Sequence, residues 1–433
     1  MRARRLAARW LIPVEGSPIE RAALLVSSDG RVDAVGPDSI VSRPPDVPTE
    51  DFGDAVIFPG LINTHTHLEL TGFAERIPDC EFADWIRRLR ELKTTRSASE
   101  YVDAARRGLQ ACYAAGVTTV ADTGDSGAAI QALAAASGSG VAYLEVFGPH
   151  PSQANESLAG LRERVMHSRQ WAANRVRIGV SPHAPYTVSG PLFRAVSEWA
   201  ETEGLPLAVH IAESQAETKL LSDGSGPFAE AWEARGIPLP QPLGLTPVRW
   251  LAEHGVLTSR TLCIHAVQID ATDIGLLAAS GAAVAHCPLS NRAHRHGAAP
   301  LSELIRTGIR IGIGTDSEVS VGRLDLLAEA RAAAQLADLS ADGTIELCTL
   351  GGARAIGMEA EIGSLRKGKW ADFAVIRLRG HERMQPAAQV LASSPADVML
   401  TCLAGKDVYR PYENPASCGH SAGSAGAPNR EPG

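Results

Sequence analysis

Eight short β-rich runs recur through the middle of this chain, each followed by a polar or Ala-rich helical stretch. In order they are "AVIFPGLINTH", "GVTTVADT", "GVAYLEVFG", "VRIGVSPHA", "LPLAVHIAE", "RTLCIHAV", "GAAVAHCPLS" and "IRIGIGTDS". Between them lie segments such as "SEYVDAARRGLQACYAAG" and "GPLFRAVSEWAETEG", whose apolar residues fall three and four apart, as on one helical face. Strands that are apolar almost throughout are buried on both faces. Alternated with helices, they form a parallel sheet covered by its own crossovers. Eight such units predict an α/β fold, a (β/α)8 TIM barrel over residues 58–357.

The two ends read differently. In residues 1–57, "AALLVSSDGRVDAVG" holds two alternating runs joined by Asp-Gly, a hairpin signature. Strand character returns in "GSLRKGKWADFAVIRLRG" and "DVMLTCLAGKDVYR". Residues 1–57 and 358–412 are therefore expected to build one small β-sandwich domain, with the barrel inserted between its halves. Residues 413–433, "ENPASCGHSAGSAGAPNREPG", lack the large apolar groups needed to offset ordering entropy and are expected to be a disordered tail. Cys418 and His420 within it are read as inert.

Composition closes off several classes. A chain of 433 residues with 45% hydrophobic and 21% charged residues is an ordinary globular protein. Its net charge of −8, with no long basic run, argues against nucleic acid or an anionic membrane as partner. The seven cysteines, at 80, 112, 263, 287, 348, 402 and 418, form no CxxC pair, as expected in a reducing compartment. Arg9 interrupts the short apolar part of "MRARRLAARWLIPVEG", so it is read as mature sequence, and no stretch is long enough to cross a bilayer. A cytoplasmic protein is expected.

The chemistry lies in where the polar residues fall. A barrel of this kind carries its active site at the carboxyl ends of the strands. The first run ends in His65 and His67, the fourth in His183, the fifth in His210 followed by Glu213, the sixth in His265, the seventh in His286 and the eighth in Asp316. Six of the thirteen histidines thus sit at strand ends. Residues two apart on a strand share a face, so His65 and His67 converge, which is half of a divalent-metal site. A single His-x-His arises readily by chance; the set of strand ends carries the inference.

Glu213 stands three residues after His210, where a turn can return it to the same mouth. A buried glutamate there can accept and then donate a proton, although in "AESQAETK" a solvated side chain is the plainer alternative. Glu69 shares the strand-end face of His67 and suits either a ribose hydroxyl or amine of the substrate or the solvated rim. His286 and Asn291 are placed at the mouth, His294 and His296 in a loop, and Trp85 in the core more readily than in the pocket wall. A zinc site of the cytidine-deaminase type needs H-x-E with a later P-C-x-x-C, and no PCxxC occurs.

In the order "PGLINTHTH", "SPHAPYTVS", "VHIAES", "CIHAV", "HCPLSN" and "GIGTDS", these motifs resemble the amidohydrolase superfamily in its metal-dependent deaminase and chlorohydrolase branch. Within that branch the chain looks most like the aminodeoxyfutalosine deaminases. The resemblance implies one divalent metal ion held by His65, His67, His210 and Asp316, because "VRIGVSPHAPY" has no lysine to bridge a second. Three imidazoles and a carboxylate suit zinc, with iron or manganese as alternatives. The implied reaction is hydrolytic deamination of an adenine-type nucleoside by a metal-bound hydroxide, with Glu213, His265 and Asp316 handling protons and His183 against the heterocycle. A chlorohydrolase or a cyclic-amide hydrolase on the same scaffold is the alternative, and a catalytically silent binding scaffold is the alternative of another class. The partner is a small molecule, and dimers among relatives imply a homodimer. "SEVSVGRLDLLAEAR", after Asp316, lacks an asparagine expected in that loop, a departure in the region of substrate recognition.

Overall fold

The computed structural model describes residues 2–173, 175–380 and 384–411; the tail expected at 413–433 lies outside the described residues. Five strands precede the barrel: β1 (Arg4–Leu11), β2 (Ile19–Val26), β3 (Val32–Pro37), β4 (Thr49–Asp51) and β5 (Ala55–Pro59). The barrel strands are β6 (Leu61–Thr66), β7 (Val117–Gly124), β8 (Gly140–Val146), β9 (Val176–Pro182), β10 (Leu207–Ile211), β11 (Thr261–His265), β12 (Ala283–His286) and β13 (Arg310–Ile313). Three more follow: β14 (Phe373–Arg377), β15 (Val398–Leu403) and β16 (Lys406–Tyr409).

β6 to β13 pair in chain order, all parallel. The ring closes where Thr66 bridges to Asp316, and the N–H groups of Thr315 and Asp316 both donate to the His65 carbonyl at 3.0 Å. Closure leaves no free edge and brings the first and last strand ends together. The interior is packed: Ile62, Val141, Tyr143, Ala208 and Leu262 cluster with Ile356, Met358 and Ile362. Each large side chain so buried contributes roughly 1.5–3 kcal/mol. That plug fills one end of the barrel and leaves the carboxyl ends of the strands for the site.

The eight strands of the other sheet run in the order β16-β15-β14-β5-β1-β2-β3, with β4 on β1. Strand periodicity divides it. Leu6, Ala8, Leu24, Ile57, Phe373 and Val375 bury in one cluster, to which, among the described residues, Leu365 and Ala371 alone come from outside the strands, with Phe52 packed against it. The strands' own side chains therefore cover one another on that face. Val56, Phe58, Ala374 and Ile376 join the main cluster with Leu109, Cys112 and Val117 of the barrel.

The first predicted run differs from expectation in one respect. "AVIFPGLINTH" is two strands, β5 in the end sheet and β6 in the barrel, so Phe58 and Pro59 belong to the end sheet. Gly60 makes the break. Its N–H donates to the Asp372 carbonyl at 3.0 Å, and a Cβ there would fall 2.2 Å from the Thr118 side chain. Only a residue without a side chain lets the backbone pass that close. Among the described residues, no helix is long and apolar enough to cross a membrane.

Candidate active site

At the carboxyl end of the barrel the histidines converge. His65 and His67 come from β6 and its end, His210 from β10 and His265 from β11. Ring centroids lie 4.8 Å apart for His65 and His67, 4.9 Å for His65 and His210, and 5.6 Å for His210 and His265. Asp316 Oδ1 lies 3.5 Å from Nε2 of both His65 and His67. Potential ligand atoms of His65, His67 and Asp316 are all within 4.8 Å of one another, as are those of His65, His210 and His265.

The surroundings fit a divalent ion. His65 is fully buried, yet neither ring nitrogen has a hydrogen-bond partner, a cost that a cation would remove. His67 Nδ1–H donates to the Thr123 carbonyl at 2.8 Å and His210 Nδ1–H to the His183 carbonyl at 3.2 Å. Each leaves Nε2 with a free lone pair, the usual outer support of a ligating imidazole. Burial keeps the rings neutral, lowering His67 to about 3 and His210 well below its ordinary value. Burial pushes Asp316 up, but the close approach of His65, and then of His67 and His265, holds it well below the usual carboxylate range. Neutral imidazoles beside an ionised carboxylate are the donor state a metal requires. Ser290 Oγ–H and the Ser317 N–H (2.7 Å) donate to the two carboxylate oxygens and orient them.

Glu213 comes next. The turn after β10 places Ala212 at φ 50°, and the N–H groups of Ala212 and Glu213 donate to the Glu217 carboxylate at 2.8 and 2.9 Å. That turn brings the Glu213 side chain to within 3.5 Å of His265 Nε2 and 3.4 Å of His296 Nε2, and the Tyr186 hydroxyl donates to it at 3.3 Å. Burial raises the Glu213 carboxyl, but the neighbouring His265 and His296 more than offset this and bring it to about 2. It rests as a carboxylate. His265 Nδ1–H donates to Asn291 Oδ1 at 2.9 Å, so Nε2 is the nitrogen turned to Glu213.

A cavity of about 580 Å³ opens onto these groups, in the range of small-molecule sites. His67, His183, His210, Glu213, His265 and Asp316 all line it. His183 sits against His210 at 4.7 Å; Thr187 donates to the Ala184 carbonyl, so His183 Nδ1–H donates to Thr187 (2.8 Å) and its Nε2 is an acceptor. Trp85 is part of the wall, stacked edge-on against His294 at 4.6 Å. Two expected contacts are absent from the lining. Glu69 is buried, but its carboxylate is taken by Lys93 at 3.1 Å and by Ser126. His286 is wholly buried, with neither ring nitrogen bonded. Asn291 lies behind His265 instead of at the mouth.

Several residues here were not singled out in the sequence. Tyr186, Asp125, Glu145, Arg90 and Arg235 line the cavity. Glu145 had a visible signal, a carboxylate at the end of the apolar run "GVAYLEVFG". Arg90 and Arg235 had none, since helix-surface arginines are commonplace.

The amidohydrolase family profile matches residues 56–408. This chain belongs to the amidohydrolase family. Among proteins similar to this amidohydrolase, a 5-methylthioadenosine/S-adenosylhomocysteine deaminase of Moorella thermoacetica is 30% identical over 419 residues, 92% of this chain and 91% of that one. An aminodeoxyfutalosine deaminase of Deinococcus radiodurans is 33% identical over 335 residues, 74% of this chain and 78% of its own. The crystal structure of an adenosine deaminase from Xanthomonas campestris with bound zinc superposes with a TM-score of 0.81 at 25% identity, covering 93% of this chain and 92% of that one.

Proposed function

We propose that this amidohydrolase is a zinc-dependent deaminase of an adenine-type nucleoside. The observation that carries the reading is the meeting of Glu213 and His265 with a buried cluster of His65, His67, His210 and Asp316 on the floor of one cavity. His65, His67, His210 and Asp316 would hold the ion. When bound, a zinc ion acts as a Lewis acid and lowers the pKa of water towards neutrality.

The remaining work belongs to the chain. Hydrolysis adds water to the ring carbon bearing the amino group, protonates the adjacent ring nitrogen and releases ammonia. Glu213, a carboxylate at rest, accepts a proton from the attacking water and passes it to that ring nitrogen, which offsets the loss of aromaticity. His265, its ring fixed by Asn291, presents Nε2 beside the water's path. Asp316 receives the second proton and returns it to the departing amine. His183 Nε2, an acceptor, faces the heterocycle. Phe147, Leu89 and Ile86 give the cavity apolar walls suited to a nucleoside. The deaminases similar to this chain support the same substrate class.

The test is ammonia release by the zinc-loaded protein from adenosine, methylthioadenosine, aminodeoxyfutalosine, guanine and cytosine. An adenine nucleoside is expected to react, and Glu213→Gln to lower kcat by about 10²–10⁴-fold. No ammonia from any compound, with zinc stoichiometric, overturns the reading.

A further inference from the structure

The two oxygens of the Glu213 carboxylate have different neighbours. Oε1 lies 3.5 Å from His265 Nε2 and 3.4 Å from His296 Nε2, whereas Oε2 accepts the Tyr186 hydroxyl at 3.3 Å. The terminal torsion of a glutamate is broad and roughly two-fold, so nothing within the residue fixes the plane of its carboxylate. A donor held against one oxygen fixes that plane and tells the two oxygens apart.

Tyr186 is itself held. It lies in the turn after β9, with 4% of its surface exposed. Its ring stacks on Phe228 at 4.3 Å, the planes 3° apart, and meets Phe82 edge-on at 6.2 Å. The Trp232 Nε1–H donates to its carbonyl at 3.0 Å. Phe228 and Trp232 both belong to the helix Gly226–Glu233, and with Phe82 and Tyr186 they form one buried cluster. Aromatic stacking and a backbone hydrogen bond thus leave the phenol little freedom to turn. Burial raises its pKa well above the ordinary value, so the hydroxyl keeps its proton and stays a donor. It can donate to Oε2 both when Glu213 is a carboxylate and when Oε1 carries a proton.

We propose that Tyr186 is a positioning residue for the proton transfer: it holds Glu213 through Oε2, so that Oε1, beside His265, takes the proton from the attacking water and gives it to the ring nitrogen. This rests on the deaminase reading above. The phenol itself transfers no proton. An O–H bond of the water breaks as one forms at Oε1, and that bond then breaks as the N–H bond of the ring forms. A residue in this role is felt in kcat, because a misplacement of about 1 Å at the reacting atoms can cost 10²-fold. The helix Gly226–Glu233 is thereby tied to the chemistry through a side chain that it braces.

The experiment is a double-mutant cycle on zinc-loaded protein: wild type, Tyr186→Phe, Glu213→Ala and the double variant, matched in zinc content and circular dichroism. It is read as kcat and KM on adenosine, methylthioadenosine or aminodeoxyfutalosine, whichever the wild type deaminates fastest, and again as equilibrium urea unfolding. Tyr186→Phe keeps the stacked ring and removes only the donor. It should lower kcat about tenfold or more with KM within about twofold, and in the Glu213→Ala background it should lower kcat no further, a ratio of about one. A merely structural role would give the same fold-loss in both backgrounds. In unfolding, the change should weaken the folding equilibrium about tenfold more when Glu213 is present, the size of a hydrogen bond to a charged group. Equal kcat losses in the two backgrounds, an unchanged kcat, or additive unfolding losses overturn the proposal. If the wild type releases no ammonia, the deaminase reading falls by itself, and the unfolding cycle still decides whether Tyr186 holds Glu213.

Discussion

At the scale of single residues, the site depends on side chains aimed by unusual backbone. His265 and Asp316 adopt φ of 74° and 57°, the left-handed region that non-glycine residues occupy only under constraint. By strand alternation His265 would share the face of Cys263, which packs in the main core. The left-handed step turns it to the mouth, where Asn291 fixes its ring. On the proposed mechanism Asn291 would act through His265, as a positioning residue. Asn291→Ala should lower kcat by about 10–100-fold while KM changes little. A fall in thermal stability with normal kcat in the surviving folded protein would contradict this.

At the scale of elements, the end sheet is tied to the barrel by one buried ion pair. Arg175, just before β9, donates from Nη1 to Asp372 Oδ1 at 2.9 Å and from Nη2 to Oδ2, and both residues are buried. Asp372 also accepts the Ala404 N–H at 2.8 Å, and its carbonyl accepts from Gly60. The pair therefore pins the strand break at Gly60. Removing one partner of such a pair leaves an uncompensated buried charge, so Arg175→Ala should cost about 3–5 kcal/mol in equilibrium urea unfolding. Replacing the aspartate with its neutral isostere should cost a comparable amount: Asp372→Asn keeps an acceptor for Ala404 but leaves the buried Arg175 charge uncompensated and turns an amide NH2 towards one of its N–H groups. Equal, small losses from the two would show that the pair is a surface-like contact.

For the whole molecule, two properties follow. The candidate metal residues come from β6 and its end, the end of β10 and the residues after β13, so a bound ion would clamp the seam where first and last strands meet. Removing a bound divalent metal by chelation should lower the unfolding midpoint; a ligand at a thousand times its Kd stabilises by about 4 kcal/mol. An unchanged midpoint would argue against those residues as ligands. The second property is pH dependence. Burial raises Glu145 and Glu217 to about 8. Between about pH 4.5 and 8 the folded chain keeps protons there that the unfolded chain has released. Their stabilising effect is complete below pH 4.5 and is lost as pH rises through 8, by at most about 1.4 kcal/mol per unit for each group. Above about pH 6.5, where the buried histidines are uncharged in both folded and unfolded chains, metal-free protein should grow less stable towards pH 8, and Glu145→Gln should flatten the slope measured there by urea unfolding. A parallel slope in the variant would exclude Glu145 as a source.

What the sequence by itself determined was what is local and periodic. Apolar runs of strand length alternating with helical faces announce a parallel barrel, and histidines placed where those runs end announce a polar mouth, because strand alternation and the barrel's polarity are properties of consecutive residues. Tertiary structure alone decided which polar groups face the cavity. Glu69 follows His67 by two residues, yet a short helical turn hands its carboxylate to Lys93 and Ser126, while Glu145 from β8 reaches the lining. Gly60 breaks an apolar run that periodicity reads as continuous, because the obstacle, Thr118, lies on a neighbouring strand. Arg90 and Arg235, 145 positions apart in sequence, line one cavity because the helices beside them share an apolar cluster. Partners so distant along the chain leave no trace in any local spacing, and burial and charge at the mouth are set by those partners.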